Sequence, residues 1–156
     1  MPFEPIENYG VIGNMQSVAL VGMNGSIDFF CYPDFDSPTV FASLLDDQKG
    51  GKFVIQPQLT NMRVRQLYLP ETNILITRFL AEEGVAELMD CMPIDDDAGS
   101  TNEIVRLVKV IRGNVKFQMS CQPRFNYGAS AHRLQLRSSM SISPSHRPRS
   151  PRPHGS

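Results

Sequence analysis

Between Val18 and Cys121, short runs rich in apolar and β-branched residues are closed repeatedly by glycine, proline or asparagine, and only one of them has helical spacing. A chain punctuated this often has no room for the crossover helices that a parallel sheet requires, which leaves antiparallel strands joined by turns. Residues 18–21 and 26–31 are strand-like and flank Gly22-Met23-Asn24-Gly25, whose Asn-Gly step takes the positive φ angles of a tight hairpin. In residues 38–45, Asp36-Ser37-Pro38 offers a cap and a first-turn proline, and Val40, Phe41, Leu44 and Leu45 recur at helical spacing; one short helix or helical turn is expected there. Residues 52–56, 63–69, 73–81 and 85–90 alternate as strands, the later ones forming a meander. Residues 103–111 follow, and Gly113-Asn114 is expected to turn them back onto residues 115–121, where Val115, Phe117, Met119 and Cys121 share one face. The predicted fold is all-β: an antiparallel β-sandwich with one short helix.

Residues 1–136 form the expected globular domain and carry eleven basic against sixteen acidic residues, a net −5. This acidic balance excludes a nucleic-acid role, which needs a basic face. No apolar run is long enough to span a bilayer, so no membrane partner is expected, and Met1-Pro2-Phe3-Glu4-Pro5 lacks the basic start and apolar core of a secretory signal. Cys31, Cys91 and Cys121 are odd in number and free of CxxC spacing, which fits core thiols in a reducing, cytoplasmic setting. Residues 137–156 change character: seven serines, four prolines and four arginines accompany only Met140 and Ile142 as apolar residues. Such a segment cannot repay its ordering entropy and is expected to be a disordered tail.

A set of motifs recurs in fixed order: Tyr9-Gly10-Val11-Ile12-Gly13, Ala19-Leu20-Val21, Asn24-Gly25-Ser26-Ile27-Asp28, Phe35-Asp36-Ser37-Pro38-Thr39-Val40-Phe41, Tyr68-Leu69-Pro70, Asp90-Cys91-Met92-Pro93 and Pro123-Arg124-Phe125-Asn126-Tyr127-Gly128. Over residues 5–135 the chain resembles the amino-terminal β-sandwich of glycoside hydrolase family fifteen, the bacterial glucoamylase, glucodextranase and trehalase group. The resemblance implies a non-catalytic domain that packs on and supports a helical-barrel catalytic domain absent from this chain, and, because members of the family continue with more strands where residues 137–156 stand, a sandwich incomplete at its C-terminus through a truncated or frame-shifted reading beyond residue 136. It also implies inverting hydrolysis of an α-glucan or trehalose by the full-length enzyme. Inversion requires two carboxyls about 6.5–9.5 Å apart. The family's pair belongs to the barrel, so no catalytic residue is expected here and the isolated chain is expected to be inactive. A stand-alone carbohydrate-binding module is the alternative, disfavoured by the lack of tryptophan.

The nearest local carboxylate pair, Asp34 and Asp36, brackets Phe35 beside Tyr32. These residues build a turn and cap, with a secondary sugar contact by Asp34, Phe35 and Asp36 as the functional expectation. Asp28 on the first hairpin reads as a packing residue. Asp95-Asp96-Asp97 lacks the ligand spacing of a calcium loop, and His132, His146 and His154 form no cluster, so no metal is expected. Gly10-Val11-Ile12-Gly13 and Gly50-Gly51 lack the lysine and the strand–loop–helix setting of a phosphate cradle, so no cofactor is expected.

Overall fold

The structure, a computed structural model, describes residues 4–94, 103–129, 132–135 and 141–144, the last two segments as backbone. A single 3-10 turn, Ile6–Asn8, leads into strands β1 (Tyr9–Gly13), β2 (Val18–Gly22), β3 (Ser26–Cys31), β4 (Thr39–Phe41), β5 (Lys52–Pro57), β6 (Arg63–Tyr68), β7 (Leu75–Leu80), β8 (Gly84–Cys91), β9 (Val105–Gly113) and β10 (Phe117–Gln122). One sheet has the order β1-β2-β3-β5-β10, with β4 also paired to β3; the second is the meander β6-β7-β8-β9. All pairings are antiparallel.

The inner faces of the two sheets make the core. Ile12, Ala19, Val21, Ile27, Phe30 and Phe41 of the first sheet meet Leu75 and Met92, and a second cluster joins Ile55 to Phe79 and Leu88. Each large side chain removed from water in this way contributes about 1.5–3 kcal/mol before entropy is counted. The β2–β3 hairpin forms as its sequence predicts. Gly25 holds φ +79, and a Cβ there would lie 2.1 Å from the Ile55 carbonyl oxygen, so the turn presses directly on β5.

Several expectations are corrected. The helical turn expected over residues 38–45 is confined to its end, where the Ala42 carbonyl accepts from the amides of Leu45 (2.9 Å) and Asp46 (3.2 Å); before it β-branched Thr39 and Val40 extend, Cys31 pairs with Thr39, and Phe30 pairs with Phe41. The amides of Ala42 and Ser43 donate to the carbonyls of Gly50 and Gly51 rather than back along a helix (2.8 and 3.1 Å). The tertiary partners of this stretch therefore override its local period. Gly113, at φ +80, does turn the chain, but it sends it across to the other sheet: β9 pairs with β8, and β10 pairs with β5. Tyr9–Gly13 is an additional strand that packs against β2. Cys31 is buried, whereas Cys91 and Cys121 are only half-buried.

Within the segment expected to be wholly disordered, Ser141–Pro144 (β12) forms a short ladder with His132–Gln135 (β11). Asp95-Asp96-Asp97, His146 and His154 lie outside the described residues. No helix of the described residues is long and apolar enough to cross a membrane.

Candidate functional site

The loop that carries Asp34, Phe35 and Asp36 connects β3 to β4 at one end of the sandwich and follows a cis Tyr32–Pro33 bond. The Phe35 amide donates to the Gln16 carbonyl (2.9 Å), tying this loop to the β1–β2 turn. Ser37 closes the turn: its amide donates to the Asp34 carbonyl (3.0 Å), and its hydroxyl accepts from the Asp34 amide (3.2 Å). The side chains of Asp34 and Asp36 are exposed, Phe35 is 67% exposed, and Tyr32 rests against Phe30. Met15, on the neighbouring turn, is 91% exposed. These residues thus form a protruding, partly apolar tip, with the carboxylates outside any enclosed cavity.

The buried carboxylates belong to structural networks. Asp28 sits at a bulge of β3 and accepts hydrogen bonds from the hydroxyls of Tyr9 (2.8 Å), Ser43 (2.8 Å) and Ser26. Burial, followed by the hydrogen bond and the negative charge of Asp28, pushes the Tyr9 hydroxyl well above the usual phenol range. Asp28 therefore anchors β1 and the loop after β4 to β3.

Asp90 is fully buried and meets Arg106, whose Nε lies 2.7 Å from the carboxylate and whose Nη2 lies 3.3 Å from the second oxygen. The remaining guanidinium donors cross to the first sheet, reaching the carbonyls of Phe53 (2.9 Å) and Gly25 (2.8 Å), while the group stacks over the Phe53 ring at 4.7 Å. Burial pushes the Asp90 carboxyl upward, outweighing the opposing pull of Arg106. Neither residue stood out in the sequence. The signal was present in strand parity, because Asp90 falls in phase with Leu88 and Arg106 in phase with Val108. Glu87, on the opposite face, is held by Arg78 at 2.5 Å. Asp28 ties together elements of the first sheet, Arg78–Glu87 joins β7 to β8 on the outer face, and of the three carboxylate networks it is Asp90–Arg106 that braces one sheet against the other.

Among the described residues no group of three or more His, Cys, Asp or Glu could hold a metal ion. Among the described residues the exposed rings Tyr32 and Phe35 lie on a loop, Tyr127 follows β10, and Tyr68 ends β6 with its hydroxyl tied to the Val11 amide and carbonyl (2.9 and 2.8 Å).

The family model for the trehalase-like, N-terminal domain matches residues 2–152, past the boundary expected at residue 136. The trehalase of Thermoplasma volcanium is 38% identical over 130 residues, covering 81% of this chain and 21% of that protein. Trehalase 1 of Sulfolobus acidocaldarius is 40% identical over 119 residues (76% and 19%), and the trehalase of Mycobacterium tuberculosis is 29% identical over 151 residues (85% and 21%). The chain thus spans about a fifth of the length of these curated relatives. No solved structure matches it.

Proposed function

This chain belongs to the trehalase-like, N-terminal domain family, and from that membership we propose that it is the non-catalytic amino-terminal domain of a trehalose-hydrolysing glycoside hydrolase, where it supports a separate helical-barrel catalytic domain. The observation that carries this reading is the position of the match: nearly the whole chain aligns to a fifth of each relative. The committed buried carboxylates agree with a scaffold role. Trehalose is preferred to an α-glucan as substrate because the relatives carry the name trehalase.

The β3–β4 loop extends the proposal. Asp34, Phe35 and Asp36 stand clear of the sandwich on a tip where they could contribute secondary contacts to one wall of the sugar site.

A chimera of the Thermoplasma volcanium trehalase, with its matched segment replaced by residues 2–152 of this chain, tests both. Trehalose hydrolysis by a folded chimera supports the scaffold role; a folded but inactive chimera refutes it. Alanine at Asp34, Phe35 and Asp36 together should raise KM several-fold with kcat little changed, and an unchanged KM removes the loop from the site.

A further inference from the structure

The outer face of the β6–β9 sheet is unlike a wet sheet surface. Direct cross-strand pairing places Leu67, Ile76, Met89 and Leu107 in one row across all four strands. Leu67 and Leu107 stand in solvent at its two ends, while Ile76 is covered by its neighbours. A solvated antiparallel face alternates to polar residues, so an uninterrupted apolar row marks a surface that meets another.

The next row is Arg65, Arg78, Glu87 and Lys109, and the one beyond it is Arg63, Leu80, Val85 and Arg112. Arg63, Leu80, Val85 and Arg112 also line an open concavity of 710 Å³. Five cations accompany one acid on these rows, and that acid is covered by Arg78, with its side chain 9% exposed. Five of the eleven basic residues of a body whose residues 1–136 are net −5 thus lie on these rows, with Glu82 and Glu83 at the far rim of the concavity. Over β5 and β10, the outer face of the other sheet instead presents Lys52, Gln56, Gln118 and Ser120.

We propose that this face, centred on the Leu67–Leu107 row and the cations of Arg63, Arg65 and Lys109, docks an acid-bearing protein surface with an apolar ridge on the catalytic part of the same polypeptide. The proposal rests on the functional reading above. The occupant follows from the remaining four-fifths of the relatives' length, which lies outside the matched segment, and its acidic character is what the cations of this face require of it.

The test uses the chimera and this chain alone. Hydrogen exchange of β6–β9 should slow in the chimera relative to the isolated chain. The variant Arg65→Glu/Lys109→Glu and, separately, Leu107→Lys should lower the chimera's thermal midpoint by about 5 °C or more while moving that of the isolated chain by less than about 2 °C. The control Gln56→Glu/Gln118→Glu should leave both unchanged. An active chimera with protection on another face, or indifferent to these substitutions, overturns the docking face and leaves the functional reading standing. Concentration-dependent protection of the same face in the isolated chain assigns it to a second copy and also overturns the proposal.

If the chimera does not accumulate, co-expression with the relative's remaining segment gives the second readout. Capture that is weakened about tenfold by Arg65→Glu/Lys109→Glu supports the face, and capture unaffected by them sinks it. No capture at all sinks both the face and the functional reading.

Discussion

The Asp90–Arg106 pair concentrates more structural consequence in two side chains than any other contact described. Removing one partner of a buried ion pair leaves the other charge uncompensated, which costs about 3–5 kcal/mol. Arg106→Met should approach that range in urea unfolding because it also removes the guanidinium donors to the carbonyls of Phe53 and Gly25, the latter keeping the Ile55 amide. Replacing both residues by apolar ones of similar volume should recover part of the loss, and no recovery would show that the cross-sheet carbonyl bonds dominate. Tyr9 gives the pH counterpart. Its folded-state ionisation is raised, so the folded chain binds more protons than the unfolded chain above the ordinary phenol value of about 10. Stability from this group is therefore complete below that value and declines as pH rises through it. Unfolding free energies measured between neutral and strongly alkaline pH should fall, and Tyr9→Phe should flatten that fall; an equal slope in the variant would detach Tyr9 from it.

At the scale of the element, strand positions were legible because alternation is local, whereas partners were not. Gly113-Asn114 has the chemistry of a hairpin turn, yet the following strand pairs with β5, a choice made by Ile55, Phe53 and Phe117 at long range. The helical spacing of residues 38–45 is realised only in the turn from Ala42 to Asp46, because strand pairing at Thr39–Phe41 and the carbonyls of Gly50 and Gly51, which no local pattern announces, take the preceding amides. The Asp34–Asp36 loop was legible as a turn, while the two buried carboxylate networks needed the strand register to appear. That register also grades the cost of core substitutions. Leu88 and Val108 face each other on the inner side, but Leu88 is sealed while Val108 is 38% exposed at the edge strand. Leu88→Ala should cost about 2–5 kcal/mol. Val108→Ala should cost less than about 1 kcal/mol. Comparable losses by chemical denaturation would mean that the edge beside β9 is closed in solution.

For the molecule as a whole, the free outer edges of β9 and β10 decide what the chain can do alone. Among the described residues each of these strands pairs on one side only. Val108, Val110 and Met119 lie on the inner faces of those edge strands and remain substantially exposed. An open sandwich mouth of this kind binds apolar probes and invites strand addition. Edge β9 is defended by Lys109 and Arg112, whereas β10, Phe117–Gln122, carries no charge and keeps an unbroken register with β5. The isolated chain should therefore bind a solvatochromic dye in its native state, and Met119→Lys should reduce both that signal and any slow association at high concentration without a large change in the unfolding midpoint. Dye binding untouched by Met119→Lys would move the exposed surface elsewhere. In the same preparations glucose release from trehalose should stay at background, since Asp28, Glu87 and Asp90 are all engaged within the sandwich. Turnover that survives purification and disappears with Asp34→Ala or Asp36→Ala would place chemistry on the loop and reverse the scaffold reading.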